Sequence, residues 1–295
     1  MLKDFLLKNE IPFAENESMK NHTTFKVGGK ADFIAMPQSV NQAQKLIIYA
    51  KEQGIPFYFL GRGSNVIFKD EGYRGLIIKT SGLQQVKICE NRATVQSGVL
   101  MTQFSKLLQE NGLSGLEFCY GIPGNIGGGI FMNAGAYGGE ISAPLIEVEY
   151  LDENAVLRKI SKDRADFSYR HSIFQDNKWF ITSATFELVL KDKKEMLTFM
   201  EEIMQKRRDK QPVDKPSAGS SFKRPSGYFA AALIDECGLK GMSVGGAQIS
   251  EKHAGFIINK GGASCGDILQ LAQEVEEIVR NKKGVQLEKE MIIVG

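Results

Sequence analysis

The chain has 295 residues, 42% hydrophobic and 24% charged, a balance typical of ordinary globular proteins and far from that of disordered or collagen-like chains. Its 37 basic and 35 acidic residues leave a formal charge of +2, too even to mark a nucleic-acid or membrane surface as the partner. That length exceeds what one hydrophobic core usually organises, so two or three lobes are expected, with a cleft between them.

The opening MLKDFLLKNEIPF breaks its apolar run with Asp4, Lys8, Glu10 and Pro12, and reads as a short helix rather than a secretion signal. Residues 40–53 carry apolar positions at helical spacing and stop at Gly54, with Pro56 beyond. PFYFL then reads as a buried strand leading into GRGSN at 61–65. The runs VIF, GLIIK, VKI and ATVQ follow as strands, the last two joined in a hairpin across CENR. A second helix, over 101–111, ends at Gly112. From 115 to 139 glycine fills nine of 25 positions. Such density needs a backbone purpose, because each glycine in a regular element costs about 0.5–1 kcal/mol relative to alanine.

Farther on, IEVEYL and VLRKI make a hairpin, WFITSATFELVL a strand, and residues 193–212 a helix whose basic end, QKRRDK, suits the helix dipole. VDKPSAGSS has the composition of a linker or functional loop, which places the main boundary near 205–215. Beyond it come a helix over 227–237, a strand HAGFIIN, a helix over 265–283 with Ser264 and Asp267 as its N-terminal box and Gly284 as its end, and a strand near EMIIV. No uncharged apolar run reaches the roughly 20 residues that span a bilayer. Cys89, Cys119, Cys237 and Cys265 lie too far apart for a C-x-x-C pair, and no histidine stands at zinc-ligand spacing, which fits a reducing cytosol and no metal.

GRGSN lies between a strand and an apolar run. Its glycines permit positive φ, so successive backbone N–H groups can face one concavity and hold a phosphate, with Ser64 and Asn65 as side-chain donors. The nicotinamide fingerprint G-x-G-x-x-G needs a sixth-position glycine and a following helix, whereas Val66 and a strand stand there, so a doubly wound nicotinamide domain is excluded. The phosphate-loop signature G-x-x-x-x-G-K-[ST] is also absent. A tight surface turn would explain GRGSN as well as a ligand would. GIPGNIGG and NAGAYGG supply a second set of close-approach positions, with Asn125 and Asn133 as donors or acceptors to a ring edge; the competing explanation is tight packing alone.

Ser220 sits in the Gly- and Pro-bounded loop AGSSFKRP. There is no G-x-S-x-G elbow and there are only three histidines, at 22, 171 and 253, so acyl transfer is disfavoured. A serine without a base can still protonate a strongly basic carbanion or enolate. Arg170, in SYRHSIF, offers a planar fork for a carboxylate. Glu290 stands at the edge of the last strand.

NHTTFKVGG, GRGSN, GIPGNIGG with NAGAYG, SYRHSIF, AGSSFKRP and LEKEMIIVG, taken in this order, resemble the UDP-N-acetylenolpyruvoylglucosamine reductase (UDP-N-acetylmuramate dehydrogenase) family of bacterial peptidoglycan synthesis, in its shorter, type II form. The resemblance runs from about residue 20 to 295. It implies an α+β fold: an FAD-binding region of the vanillyl-alcohol-oxidase (PCMH) type over 1–205, in two subdomains split near 85, then a smaller α/β substrate-binding domain over 206–295.

The family's chemistry implies bound FAD, NADPH as hydride donor and a UDP-sugar enolpyruvyl ether as substrate, in a cytoplasmic enzyme without nucleic-acid or membrane partners, for which a monomer is the working expectation. Ser220 matches the proton donor, and Arg170 with Glu290 the groups that polarise the enolpyruvyl carboxylate. The assignment of Glu290 over Glu288 depends on the terminal E-x-I-I-V-G pattern. FAD is implied to lie on Gly61, Arg62, Gly63, Ser64, Asn65 and Val66, on Gly121, Ile122, Pro123, Gly124, Asn125, Gly127 and Gly128, and on Asn133, Ala134 and Gly135. Lys223 and His253 fall where the family contacts the substrate. Two other readings stand beside this one. An FAD-dependent oxidase of an alcohol or sugar would need a much larger cap domain, and a non-catalytic nucleotide sensor would leave Ser220, Arg170 and Glu290 without a common purpose.

Overall fold

The computed structural model describes residues 1–295. Two compact units share the chain: Met1–Glu15, Phe33–Arg62 and Gly75–Gln205 form the first, and Asn16–Asp32, Gly63–Arg74 and Lys206–Gly295 the second. Helices and strands mix in both, which is the expected α+β class. No helix is long and apolar enough to cross a membrane. All four cysteines are free thiols.

The first unit has two cores. In one, the helix Leu2–Lys8 contributes Leu2 and Leu6, the helix Val40–Glu52 contributes Ala43, Leu46, Ile47 and Ala50, and the strand Tyr73–Lys79 contributes Leu76 and Ile78. Val40–Glu52 begins where Ser39 Oγ accepts a hydrogen bond from the Gln42 backbone N–H at 3.2 Å, satisfying one of the helix's orphan donors. The strand Phe57–Leu60 runs parallel to Tyr73–Lys79, with Leu60 opposite Lys79. The segments that follow, at Gly61 and at Thr80, therefore leave the same carboxyl end of two adjacent strands.

The other core is built on a five-stranded antiparallel sheet in the order Leu157–Ser161, Leu145–Leu151, Phe180–Glu187, Arg92–Gln96, Val86–Cys89. The helix Met101–Glu110 turns Met101, Phe104 and Leu108 inward at three- and four-residue spacing, and the Phe104 ring lies 5.8 Å from that of Phe186. Each phenylalanine buried this way contributes about 1.5–3 kcal/mol. The strand expected over 179–190 is two strands. Phe180–Glu187 belongs to the large sheet, Leu188 is buried, and Val189–Leu190 pairs with Leu113–Ser114. The glycine-rich stretch hides a short helix, Ile126–Phe131, which no apolar periodicity announces.

In the second unit the helices Ala230–Glu236 and Cys265–Lys283 pack with the antiparallel sheet Ser243–Val244, Ala247–Ile249, Ile257–Asn259. Val66–Phe68 pairs in parallel with Ile292–Val294. The capping box of Cys265–Lys283 is formed as expected: Ser264 Oγ accepts from Asp267 N at 3.0 Å and Asp267 Oδ2 from Ser264 N at 3.0 Å, and Gly284 ends the helix at φ +69°. Ala230–Glu236 starts later than expected, because Gly227 turns at φ +76° and Arg224 stacks on the Phe229 ring at 4.4 Å. The expected strand over HAGFIIN shrinks to Ile257–Asn259, since Phe256 N closes a turn on His253 O at 3.0 Å.

Candidate active site

In the first unit, two candidate loops are tied by hydrogen bonds. Asn133, buried and held at φ +42°, donates from Nδ2 to the Ser168 carbonyl at 2.9 Å and to Glu140 Oε2 at 3.2 Å. Arg170 donates from Nη2 to the Gly135 carbonyl at 3.2 Å, and its guanidinium stacks on the Tyr169 ring at 5.1 Å. Arg170 itself has φ +58°, in a tight turn where Ser168 and His171 exchange backbone hydrogen bonds of 3.2 and 3.1 Å. Gln175 Nε2 secures that turn by donating to the Arg170 and Phe131 carbonyls. The sequence holds the arginine in a strained, cross-braced loop, the type of backbone found at functional sites.

Asn125, for which a ring-edge contact is expected, is engaged within the protein. Its Nδ2 donates to Thr80 Oγ1 at 2.6 Å and its Oδ1 accepts from Gly128 N at 3.1 Å, so the side chain caps Ile126–Phe131. A Cβ at Gly61 would collide with that same amide, and one at Gly127 would stand 2.8 Å from Ser97 Cβ. Gly121, Ile122 and Gly124 lead into this cap, with Gly124 O accepting from Met101 N at 2.9 Å and Pro123 exposed. Arg62 is exposed and Gly128 lies open at the helix start. Ala134 N donates back to Gly129 O at 2.7 Å. Beside the Gly61–Arg62 turn, burial and then the Arg62 charge pull the Lys79 ammonium below its ordinary pKa.

In the second unit, the rest of GRGSN meets the C-terminal segment, which in turn bonds to the serine loop. Gly63, at φ +70°, accepts from Thr24 N at 3.1 Å, and a Cβ there would strike the His22 carbonyl. Asn65 Nδ2 donates to the Glu290 carbonyl at 3.1 Å and Asn65 O accepts from Ile292 N at 2.9 Å; Ser64 is half-buried and Val66 opens the paired strand. Ser220 is exposed, while its neighbour Ser221 is wholly buried: Ser221 Oγ accepts from Ile257 N at 2.9 Å and its carbonyl accepts from Glu290 N at 2.9 Å. Lys223 continues the match by donating from its backbone to Glu288 O at 2.8 Å, with Nζ 3.4 Å from Glu288 Oε2. Within this unit the structure thus joins Asn65 to Glu290 through the Asn65 side-chain amide, and Glu290 to the Ser220 loop through the main chain of Ser221. His253 lies nearby in sequence to Gly255, whose N–H donates to His253 Nδ1 at 3.2 Å, and burial pushes its pKa below the usual value.

Of the residues that organise these loops, Thr80 and Glu140 belong to no motif read from the sequence, and Ser168 and Ser221 lie inside SYRHSIF and AGSSFKRP without being singled out there. Asn125 followed by Gly128 carries a capping signal, but three glycines in the helix mask it. The others are specified only by contacts distant in sequence. Asn133 Oδ1 is buried with no hydrogen-bond partner, and an acceptor so placed suits an N–H of a flavin ring.

Residues 31–161 match the family described as FAD binding domain, and residues 211–294 match UDP-N-acetylenolpyruvoylglucosamine reductase, C-terminal domain. The UDP-N-acetylenolpyruvoylglucosamine reductase of Clostridium tetani is 46% identical over 95% of this chain and 91% of its own length. The chain belongs to that family. The UDP-N-acetylenolpyruvoylglucosamine reductase of Caldanaerobacter subterraneus subsp. tengcongensis is 43% identical over 100% of this chain and 97% of its own. The crystal structure of the Thermus caldophilus UDP-N-acetylenolpyruvylglucosamine reductase aligns with a TM-score of 0.82 at 31% identity, covering 97% of this chain and 99% of that one. In the UDP-N-acetylenolpyruvoylglucosamine reductase family's terms, Ser220, Lys223, His253 and Glu290 lie in the C-terminal match, and the glycine-rich loops in the FAD-binding match.

Proposed function

We propose that this chain is an NADPH-dependent, FAD-containing reductase that converts the enolpyruvyl group of UDP-N-acetylenolpyruvoylglucosamine to the lactyl group of UDP-N-acetylmuramate, for peptidoglycan precursor synthesis in the cytoplasm. The observation that carries the reading is near-full-length identity to reductases of that name, 46% and 43%. The alternative of an alcohol or sugar oxidase loses ground because the relatives that match nearly the whole chain carry the reductase name.

Bound FAD would take a hydride from NADPH and supply it to the methylene carbon of the enolpyruvyl group. Residues 1–205 are assigned the flavin and 206–295 the sugar nucleotide. Arg170, braced by Tyr169 and the Gly135 carbonyl, is assigned the substrate carboxylate, where a fixed cation stabilises the charge that develops on the neighbouring carbon. Glu290 is assigned to the same polarisation, its main chain held by Asn65 and Ser221. Ser220 is assigned the proton: its O–H passes a proton to that carbon, and its exposure lets solvent restore it. Lys223 is assigned the substrate's phosphates, and His253, kept neutral by burial, a flank of the sugar nucleotide.

Anaerobic mixing tests the reading. Flavin absorbance should bleach on addition of NADPH and recover only when UDP-N-acetylenolpyruvoylglucosamine follows. Bleaching without recovery would assign the electrons to another acceptor, and a protein that takes up no flavin would overturn the proposal.

A further inference from the structure

We infer that Lys79, acting with Arg62, forms a cationic clamp on the diphosphate of bound FAD. The inference rests on the flavoenzyme reading and extends it to a residue outside every glycine-rich motif. Phe57–Leu60 and Tyr73–Lys79 are adjacent parallel strands with Leu60 opposite Lys79, so Arg62 follows the end of one and Lys79 is the end of the other. Ligands of parallel strands gather at their carboxyl ends. A third segment arrives at the same place: Asn125 hydrogen-bonds Thr80 at 2.6 Å and packs against Gly61, which brings the start of Ile126–Phe131 beside both strand ends.

Charge favours an anion there. Lys79 is half-buried and Arg62 exposed, and the Arg62 charge, of the same sign, adds to burial in disfavouring the Lys79 ammonium. An anion placed between two such cations relieves both penalties. A diphosphate supplies two negative groups a few ångströms apart, and the loop backbone at Gly61 approaches closely because no Cβ intervenes.

FAD, NADPH and the UDP-sugar all carry a diphosphate, and the experiment separates them. Flavin-stripped protein is titrated with FAD and followed by quenching of flavin fluorescence; the FAD-saturated enzyme is then assayed for the KM of NADPH and of the UDP-sugar. Lys79→Met keeps the aliphatic stem and should raise the FAD Kd about 10- to 100-fold, the loss expected for one charge-assisted contact. Lys79→Arg should bring the Kd back to within a few-fold of the parent. Arg62→Gln alters an exposed side chain, folds independently of the Lys79 packing, and should raise the Kd in the same direction. An unchanged FAD Kd in Lys79→Met and Arg62→Gln overturns the inference. So does an unchanged FAD Kd with a raised KM for NADPH or the UDP-sugar, which would give the cations to another diphosphate. Failure of the parent protein to bind FAD would instead overturn the flavoenzyme reading.

Discussion

Asn125→Ala should destabilise the first unit by about 2–3 kcal/mol. Loss of the cap on Ile126–Phe131 accounts for about 1 kcal/mol. Loss of the 2.6 Å bond to Thr80 removes about another 1 kcal/mol, and the Thr80 hydroxyl, 7% exposed, is left without that partner, which raises the total. Asn125→Asp separates these effects from a ligand contact. A carboxylate still caps the helix, favours its N-terminus, and can accept from the Thr80 hydroxyl once that rotates, so the loss should stay under about 1 kcal/mol. Urea unfolding of flavin-stripped protein is the assay, read from the chain's one tryptophan, Trp179, which lies in the first unit and stacks on Tyr150 at 4.5 Å. An alanine variant within about 0.5 kcal/mol of the parent would refute the capping argument, because that is the smallest loss a working cap allows. An aspartate variant as damaged as alanine would show that donation from Nδ2, rather than acceptance at Oδ1, is what the site needs.

Ser220→Ala should leave NADPH bleaching of the flavin intact and slow its recovery with the enolpyruvyl substrate by about 10²- to 10⁴-fold, the range for a lost general acid; normal recovery in stopped flow would dismiss the serine as proton donor. Arg170→Ala and Glu290→Ala should slow the same half-reaction by about 10²- to 10³-fold, and equal slowing of both half-reactions would indicate a purely structural role. Gly63→Val puts a β-branched residue at φ +70° against the His22 carbonyl, and should cost more than about 2 kcal/mol and yield a colourless protein. For His253 the folded pKa lies below the unfolded one, chiefly through burial, so its neutral form stabilises the second unit. That contribution is present above the unfolded value of about 6.5 and is lost as pH falls through the folded value. Chemical denaturation from pH 8 to pH 5 should therefore show a steeper loss for the parent than for His253→Gln; parallel curves would count against it.

Where local patterning decides structure, the sequence was readable. Met101–Glu110, Lys193–Lys210 and Cys265–Lys283 have apolar spacing and end signals strong enough to fix them, and the hairpin at Cys89–Arg92 has a short polar turn. Ile126–Phe131 was not readable, since glycines at 127, 128 and 129 carry a poor helix propensity and only the Asn125 cap and tertiary contacts make the helix form. Phe13–Ser18 and Lys30–Ala35 were missed as well, because FAENES and KADFIA place charges within the runs and show no clean alternation. At the candidate site, motif context singled out Ser220, Arg170 and Glu290, and the family resemblance supplied their roles. Their supports did not show, because Ser221 to Ile257, Asn65 to Glu290 and Asn133 to Ser168 are contacts made only once distant segments meet. Lys79 likewise looks like the last residue of an ordinary strand until its register with Leu60 is known.

The parallel pairing of Val66–Phe68 with Ile292–Val294 has a consequence for how the chain is made. During synthesis at roughly 5–20 residues per second, the first of these strands leaves the ribosome on the order of ten seconds or more before its partner exists. Phe25, Val27 and Ile67, buried in the finished second unit, must wait with it, and the first unit can assemble around these looped-out segments. A nascent protein in that state carries an unpaired apolar strand, so yield in the cell should depend on translation speed and on holdase chaperones. A fragment stopped at Gln205 would keep that exposed strand permanently, and precipitation of such a fragment would report an orphaned pairing partner rather than a weak flavin fold.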